Sequence, residues 1–209
     1  MQKWVFFDLG STLIDESAAV QTRVEQTVAR LRGTPQEVSV EEFQAMMAQA
    51  ARQNAQPYAI VMERLGDVRL TPFPVHLEFP YPGAKPLLEE LRGQYRLGVI
   101  ANQSAGTEQR LRNWGLAQYF NVIAASAEEG IAKPDPRIFT LALERAGCAP
   151  EEAVMIGDRL DNDIAPAKRL GMRTVWIRQG WGGKGVPVSE EMTPDMQVDT
   201  LEEVLSCFD

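Results

Sequence analysis

The acidic residues that could do chemistry in this sequence follow the ends of predicted strands. Asp8 comes after the apolar run at residues 4–7 and before a turn of small residues at 10–12. Asp158 follows a second apolar run in the same way, and Asp163 comes five residues later. Because the carboxyl ends of parallel strands meet at one edge of a sheet, where ligands bind, we expect these carboxylates to share one crevice.

Such a cluster of acids has two explanations, which the residues alone leave open. Asp8, Asp158 and Asp163 would repel one another unless a cation lay among them, and hard carboxylate oxygen atoms suit Mg²⁺. Alternatively, Asp8 caps the turn that follows it, and the acids around Asp161 form a solvated helix start that the helix dipole favours. The first explanation predicts a magnesium site, and the second predicts only local structure.

Two more polar groups are predicted at the same edge of the sheet. Lys133 lies in the segment at 131–136, which flanking prolines stiffen. Its ammonium group could neutralise a bound phosphate, although most lysines are solvated surface residues. Asn102 follows the strand predicted at 97–101, close to a helix start whose free N–H groups could bind an anion. The sequence thus predicts acid, amide and lysine groups around one crevice.

A parallel sheet is expected to position these groups. Five segments have strand character, at residues 4–7, 97–101, 122–125, 153–156 and 174–177. Those after residue 80 alternate with segments of helix length, and this alternation predicts βαβ units. The predicted fold class is therefore α/β.

Between the first and second predicted strands the sequence is helical in character. Helices are predicted at 18–31, from Ser39 and from Pro57, and Ser39 and Glu42 have the spacing of a capping box. The Pro-rich segment at 72–82 is predicted to be a linker that returns to the sheet. We therefore expect a small helical bundle inserted into the α/β unit.

Composition excludes several classes of function. The chain has 209 residues and a net charge of −8, without a basic stripe, which argues against a nucleic-acid partner. A single histidine, His76, makes Ser-His-Asp, Cys-His and histidine–metal chemistry hard to build. No apolar run approaches the length needed to span a membrane. Cys148 and Cys207 are far apart, which is typical of two reduced thiols, so a cytoplasmic protein is expected.

These motifs together resemble the haloacid dehalogenase-like hydrolase superfamily. The segments that carry the resemblance are Asp8-Leu9-Gly10-Ser11-Thr12-Leu13, Ala101-Asn102-Gln103, Lys133-Pro134-Asp135-Pro136, and Gly157-Asp158 with Asp163. It implies a Rossmann-like core of three layers, formed by residues 1–15 and 80–209, with strand order 5-4-1-2-3. It also implies that residues 16–79 form a small all-α cap domain over the active site.

The resemblance implies a Mg²⁺-dependent phosphatase that acts on a small phosphorylated metabolite through an aspartyl-phosphate intermediate. Asp8 would be the nucleophile, and Lys133 would hold Asp8 and the phosphate charge together. Mg²⁺ would bind the Asp8 carboxylate, the backbone carbonyl of Gly10 and the Asp158 carboxylate. Asp163 would support the water shell of the metal or orient Lys133.

The resemblance also implies which residues bind the phosphate group. Backbone amides at Gly10 and Ser11, together with Asn102 and Lys133, would bind the phosphoryl oxygen atoms. The partner would be a small phosphate ester, and the protein would be a monomer or a homodimer. Substrate choice is expected to depend on cap residues, with Met46, Arg52 and Tyr58 as candidates.

The sequence departs from the family pattern at two positions. Gly10 stands where the phosphatases usually have a second Asp that serves as general acid and base. Ala101 stands where a Ser or Thr that binds phosphate is usual, and Ser104 is the candidate replacement. The Gly-rich segment at 180–185 has two explanations, an active-site loop or a flexible surface connection, and its lack of P-loop spacing favours the second.

Two alternative functions therefore remain open. One is a weak or inactive family member that binds a phosphorylated ligand without turning it over. The other is a 2-haloacid dehalogenase, which also lacks the second Asp. The second is less favoured because the metal-type acids Asp158 and Asp163 are present.

Overall fold

The computed structural model describes residues 2–67 and 69–208. Within them the strands are β1 (Trp4–Phe7), β2 (Ile14–Asp15), β3 (Phe79–Pro80), β4 (Arg96–Ala101), β5 (Phe120–Ala125), β6 (Ala153–Gly157), β7 (Arg173–Ile177) and β8 (Met196–Val198). The α-helices are α1 (Ser17–Leu31), α2 (Val40–Arg52), α3 (Pro57–Arg64), α4 (Ala84–Leu91), α5 (Thr107–Asn113), α6 (Ser126–Glu129), α7 (Pro136–Ala146) and α8 (Ala165–Arg169).

Six parallel strands form the main sheet, in the order β5-β4-β1-β6-β7-β8. For the five predicted strands this is the expected order, read from the opposite edge. The predicted α/β fold class is therefore confirmed. β8, which was not predicted, adds a sixth strand beside β7, and its three residues are too few to show a strand pattern.

β1 is buried on both of its faces, because helices cover both sides of the sheet. Val5 and Phe7 belong to an apolar cluster with residues of α4 and α5, whereas Trp4 and Phe6 belong to a second cluster with residues of α7. A strand buried in this way needs a continuous apolar run, which is what residues 4–7 supply. The result is a three-layer core with the sheet in the middle.

The inserted helices, α1 to α3, share an apolar cluster of their own. Its buried members are Val24, Phe43, Met47, Tyr58, Val61 and Met62. The predicted capping box starts α2: the Glu42 backbone N–H donates to Ser39 Oγ at 3.1 Å, and the Ser39 N–H donates to Glu42 Oε2 at 2.8 Å. Pro57 starts α3, also as predicted.

The two ends of the inserted segment lie side by side. β2 pairs with β3 in a short antiparallel ribbon in which Asp15 is opposite Phe79. Part of the predicted linker at 72–82 is therefore a strand, too short to be recognised from its sequence. The division into a core (1–15 and 80–209) and a cap (16–79) stays a prediction, and residues 1, 68 and 209 lie outside the described part of the chain.

A turn that the sequence did not predict precedes the last α-helix. Leu160–Ile164 form a single π-helical turn before α8 starts at Ala165. Such turns are rare and often occur at functional sites. Among the described residues, no helix combines the length and the apolar character needed to cross a membrane.

Candidate active site

The carboxyl edge of the sheet brings together the four charged residues on which the sequence interpretation rests. Lys133 Nζ donates hydrogen bonds to Asp8 Oδ1 at 2.7 Å and to Asp163 Oδ1 at 2.5 Å. Carboxylate oxygen atoms of Asp8, Asp158 and Asp163 all lie within 4.8 Å of one another. Lys133, Asp158 and Asp163 are buried, and Asp8 is 9% exposed.

Hydrogen bonds from neighbouring elements fix the acids in place. The Asp8 N–H donates to the Ile156 carbonyl at 2.9 Å, which extends the ladder between β1 and β6 beyond the strand end. Trp176 Nε1 on β7 donates to the Asp158 carbonyl at 2.6 Å. The π-helical turn brings Asp163 back to the strand end, where its Oδ2 accepts from the Arg159 N–H at 2.9 Å.

Asn102 holds the backbone of Lys133. Its Nδ2 donates to the Lys133 carbonyl at 2.8 Å, and its Oδ1 accepts from the Lys133 N–H at 2.7 Å. These bonds use one of the two N–H groups of Nδ2, so Asn102 positions Lys133 and its predicted contact with phosphate stays a prediction. The Ser11 N–H, also predicted to bind phosphate, donates to the Ile14 carbonyl at 2.8 Å. That bond would have to break before this amide could reach a ligand.

Burial and mutual repulsion shift the protonation of these groups. Burial raises the pKa of Asp8 to about 6, against the lowering effect of Lys133. Burial, with the charges of Asp163 and Asp8, raises the pKa of Asp158 well above its usual value. For Lys133, burial alone lowers the pKa, but the charges of Asp163 and Asp8 outweigh it and raise the pKa above the ordinary value.

The arrangement fits a hard divalent cation. Three carboxylates face one ammonium group, and no residue in the described ranges 2–67 and 69–208 donates a hydrogen bond to the Asp158 carboxylate. A buried carboxylate without a partner is costly, and Mg²⁺ takes oxygen ligands of this kind. Both oxygen atoms of Asp163 already accept hydrogen bonds, which suits a residue that orients Lys133.

Gly10 leaves space that the Glu16 carboxyl group fills. A Cβ atom built on Gly10 would lie 2.5 Å from Glu16 Oε1 and 2.7 Å from Oε2, too close for any real contact. Gly10 is not among the residues with positive φ, so a side chain at this position would cause no backbone strain but would have to displace the Glu16 carboxyl group. A carboxyl group therefore occupies the place of the missing second Asp side chain, but it comes from the start of α1.

Glu16 differs from Asp8 in its protonation. Burial and the charges of Asp8, Glu78 and Asp15 raise the pKa of Glu16 to about 8, while Ser11 Oγ donates to its Oε2 at 3.3 Å. At neutral pH Glu16 is thus mostly a neutral acid, next to a carboxylate. Sequence reasoning missed this residue, and its only signal was an acid beside Asp15 at the start of a predicted helix.

A pocket of ≈ 570 Å³ lies between this edge of the sheet and the inserted helices. Asp8, Glu16 and the other acids form one side, and the opposite side is mostly apolar, with Val20, Met47, Tyr58, Phe73 and Trp181. Of the candidate specificity residues, Tyr58 lines the pocket, whereas Met46 and Arg52 do not. Gln103 lines it as well, but Ser104, the candidate replacement at the phosphate site, does not.

Trp181 and Gly182 of the Gly-rich segment at 180–185 line the pocket, which favours the alternative of an active-site loop, although Gly180 and Lys184 are exposed. A Cβ atom on Gly182 would collide with the Asp158 carboxylate, and Trp181 packs against the apolar cluster of the inserted helices. Further along, Asn54 Nδ2 donates to the Val186 carbonyl at 2.7 Å. Gly182 is therefore the position in this segment where the backbone approaches an acid too closely for a side chain.

Known proteins with similar sequences include phosphatases. A glyceraldehyde 3-phosphate phosphatase from Methanopyrus kandleri is 40% identical over 128 residues, which cover 60% of this chain and 55% of that protein. Another, from Pyrococcus furiosus, is 30% identical over 196 residues, which cover 85% of this chain and 81% of that protein. This chain thus spans little more than half the length of the first relative and most of the second.

Solved structures with the same fold include two kinds of enzyme. A HAD phosphatase from Thermococcus onnurineus has a TM-score of 0.69 and 27% identity, with 99% of this chain and 98% of that chain covered. A 2-haloacid dehalogenase from Pseudomonas syringae has a TM-score of 0.66 and 27% identity, with 100% and 98% covered. The fold alone therefore does not choose between the two reactions.

The family itself is settled by a match that covers most of the chain. The model of the haloacid dehalogenase-like hydrolases matches residues 2–171, from the start of β1 through the segment that carries Asp158 and Asp163. The four motifs of the predicted resemblance all lie within this range. The chain belongs to the haloacid dehalogenase-like hydrolases.

Proposed function

We propose that this protein is a Mg²⁺-dependent phosphatase that hydrolyses a small phosphate ester by way of a phosphoryl group on Asp8. The observation that carries the proposal is the buried cluster in which Lys133 binds Asp8 while the Asp158 carboxylate has no donor among the described residues. The names of the relatives, which are phosphatases, support the reaction class.

The first half of the reaction transfers the phosphoryl group from the substrate to Asp8. Lys133 binds Asp8 Oδ1 and fixes the plane of the carboxylate, which leaves Oδ2 to attack phosphorus. The bond between phosphorus and the leaving oxygen breaks as the new bond to Oδ2 forms. When bound at Asp8, Asp158 and the Gly10 carbonyl, Mg²⁺ would neutralise charge on the phosphoryl group. Lys133 adds a second positive charge on the same side.

Glu16 supplies the proton that Gly10 cannot. Its protonated carboxyl group occupies the space of the missing side chain, so it faces the leaving oxygen and can donate to it. In the second half, water attacks phosphorus and gives its proton to the Glu16 carboxylate, which restores both Glu16 and Asp8. The proposed acid thereby removes the main argument for an inactive family member.

The dehalogenase alternative makes a different prediction about metal. A carbon–halogen bond is broken without phosphate charge to neutralise, whereas the Asp158 carboxylate is left without a counter-charge unless a cation binds. A panel of phosphate esters and 2-haloacids, assayed with Mg²⁺ and with a chelator, separates the two functions. We expect phosphate release that depends on Mg²⁺ and no halide release. Halide release that survives the chelator would instead support the dehalogenase.

Asp158→Ala is expected to weaken Mg²⁺ binding, because it removes a direct ligand. Loss of an outer partner of a metal ligand costs roughly 10- to 100-fold in affinity, and loss of the ligand itself should cost at least that much. Titration calorimetry measures the effect. Asp161→Ala is the matched control, since the Asp161 carboxylate pairs with Arg159 instead. Equal affinity in the Asp158 variant and the wild type would place the metal elsewhere.

A further inference from the structure

Arg23 is the pocket cation that the catalytic cluster does not explain. The charged pocket residues Lys133 and Arg159 are paired with acids, Lys133 with Asp8 and Asp163 and Arg159 with Asp161. Arg23, on α1, has no carboxylate within salt-bridge distance in the part of the chain that the structure describes. It lines the pocket from the side of the inserted helices.

The guanidinium group of Arg23 is held in a defined orientation. Nε donates to the Thr71 carbonyl at 2.7 Å, and Cζ lies 3.7 Å from the centroid of the Tyr58 ring. Tyr58 is itself fixed, because its hydroxyl lies 2.8 Å from Thr27 Oγ1 and accepts from the Thr71 N–H at 3.2 Å. The two terminal nitrogen atoms, Nη1 and Nη2, make no hydrogen bond to any described residue.

A half-buried guanidinium group of this kind lacks its counter-charge. Its partners are a neutral carbonyl and an aromatic ring, which orient the group but do not neutralise it. Burial lowers the pKa of Arg23 below its ordinary value, yet arginine in proteins stays protonated. Because Arg23 lines the pocket, the negative charge that would complete the arrangement can come from a ligand bound there.

We propose that Arg23 binds a second acidic group of the substrate, either a carboxylate or a second phosphate. This group belongs to the leaving group, which departs when the phosphoryl group is transferred to Asp8. This inference rests on the proposed phosphatase function and names its substrate class: small phosphate monoesters with a second anionic end. The planar fork of Nη1 and Nη2 matches a carboxylate or phosphate edge with two parallel hydrogen bonds. Apolar walls formed by Val20, Met47 and Phe73 lie near the short carbon skeleton between the two ends.

The size of the pocket agrees with this class. A volume of ≈ 570 Å³ lies within the usual range for small-molecule sites, roughly 300–1,000 Å³. The alternative is a structural role, in which Arg23 only braces α1 against Tyr58 and Thr71. A structural role predicts equal effects on all substrates, whereas anion recognition predicts an effect only on substrates with the second charge.

Matched pairs of substrates test the proposal. For a carboxylate, the pairs are 3-phosphoglycerate with glycerol 3-phosphate, and phosphoserine with phosphoethanolamine. For a second phosphate, the pair is 1,3-propanediol bisphosphate with 3-hydroxypropyl phosphate. In Arg23→Gln, kcat/KM for the acidic members of the carboxylate pairs, the bisphosphate pair or both should fall by roughly 10- to 100-fold, mainly through KM, with little change for their partners.

Two further variants keep the result interpretable. Arg23→Lys retains the charge but not the planar fork, so it should recover part of the preference for the acidic substrates. Arg32→Gln changes an exposed arginine at the end of the same helix and should leave every pair unchanged. Melting temperatures of all variants show whether loss of the contact with Tyr58 disturbs the fold.

The outcomes separate the two proposals. A loss confined to the acidic members of the carboxylate pairs, of the bisphosphate pair or of both identifies which anions Arg23 binds and supports its role. Equal losses on both members of every pair, or none, would overturn it while leaving the phosphatase function intact. If the wild type released no phosphate from any ester, the function would fail. Calorimetry with the Asp8→Asn protein, with and without Arg23→Gln, would then still decide the role of Arg23. The ligands would be 3-phosphoglycerate with glycerol 3-phosphate, and 1,3-propanediol bisphosphate with 3-hydroxypropyl phosphate.

Discussion

Asp8→Asn is expected to abolish phosphate release, with a fall in kcat on the order of 10⁴-fold or more. The amide that replaces the carboxylate is not nucleophilic, so the bond between Asp8 Oδ2 and phosphorus cannot form. The fold should survive, because the amide oxygen can still accept from Lys133 and because Lys133 keeps its bond to Asp163. Steady-state assays with Mg²⁺ and a melting curve measure the two effects.

Asp161→Asn is the control for the loss of an acid near the site. Asp161 belongs to the same π-helical turn as Asp163, but its carboxylate faces Arg159 and lies outside the cluster of three acids. It should keep wild-type activity. Phosphate release by a folded Asp8→Asn protein at the wild-type rate would remove Asp8 from the nucleophile role.

Glu16→Gln is expected to slow the hydrolysis of alkyl phosphates by roughly 10² to 10⁴-fold, the usual contribution of a general acid. The substitution keeps the size of the side chain over Gly10 and removes the proton that the leaving oxygen needs. Acetyl phosphate and p-nitrophenyl phosphate have leaving groups that need little protonation, so their rates should change much less. A plot of rate against leaving-group pKa should therefore be much steeper for Glu16→Gln than for the wild type.

A double substitution moves the acid to position 10. Gly10→Asp alone would force the Glu16 carboxyl group aside, because the new Cβ atom would lie 2.5 Å from Oε1. In Gly10→Asp/Glu16→Ser the space is free, and hydrolysis of alkyl phosphates should recover from the loss seen in Glu16→Ser. If Glu16→Gln kept the leaving-group dependence of the wild type, the proton would have to come from another group, and the assignment of Glu16 would be wrong.

The convergence of Asp8, Lys133 and Asp158 could be predicted from the sequence. Asp8 and Asp158 follow short apolar runs that predict strands. Because parallel strands end at one edge of the sheet, the two carboxylates are expected to lie close together. Lys133 lies just before α7, whose start is marked by Asp135 and Pro136 and whose end is marked by Gly147. These signals are local, since each depends on a few neighbouring residues.

The positions of Glu16 and Arg23 could not be predicted in the same way. Glu16 reaches Gly10 because β2 and the start of α1 turn the chain back over the first strand end. Arg23 faces the pocket because α1 packs against Tyr58 of α3 and against Thr71. Such contacts depend on how separate elements pack, and periodicity within one helix does not encode them.

The role of the Gly-rich segment at 180–185 also depends on packing that the sequence does not show. Its composition is typical of a flexible connection, because glycine allows many conformations. In the structure the backbone passes close to Ser11 at Gly180 and to the Asp158 carboxylate at Gly182, so a side chain at either position would collide with its neighbour. The sequence shows where glycines occur, whereas only the packing shows which neighbour requires each of them.

Detection of a phosphoryl group on Asp8 tests the central claim most directly. Wild-type protein mixed with Mg²⁺ and a substrate that it hydrolyses would be quenched in acid during turnover, digested, and its peptides examined by mass spectrometry. We predict a phosphorylated peptide that contains Asp8, and no such peptide when Mg²⁺ is chelated or in Asp8→Asn. Continued phosphate release with an unmodified Asp8 peptide, or with the phosphoryl group on another residue, would contradict the mechanism.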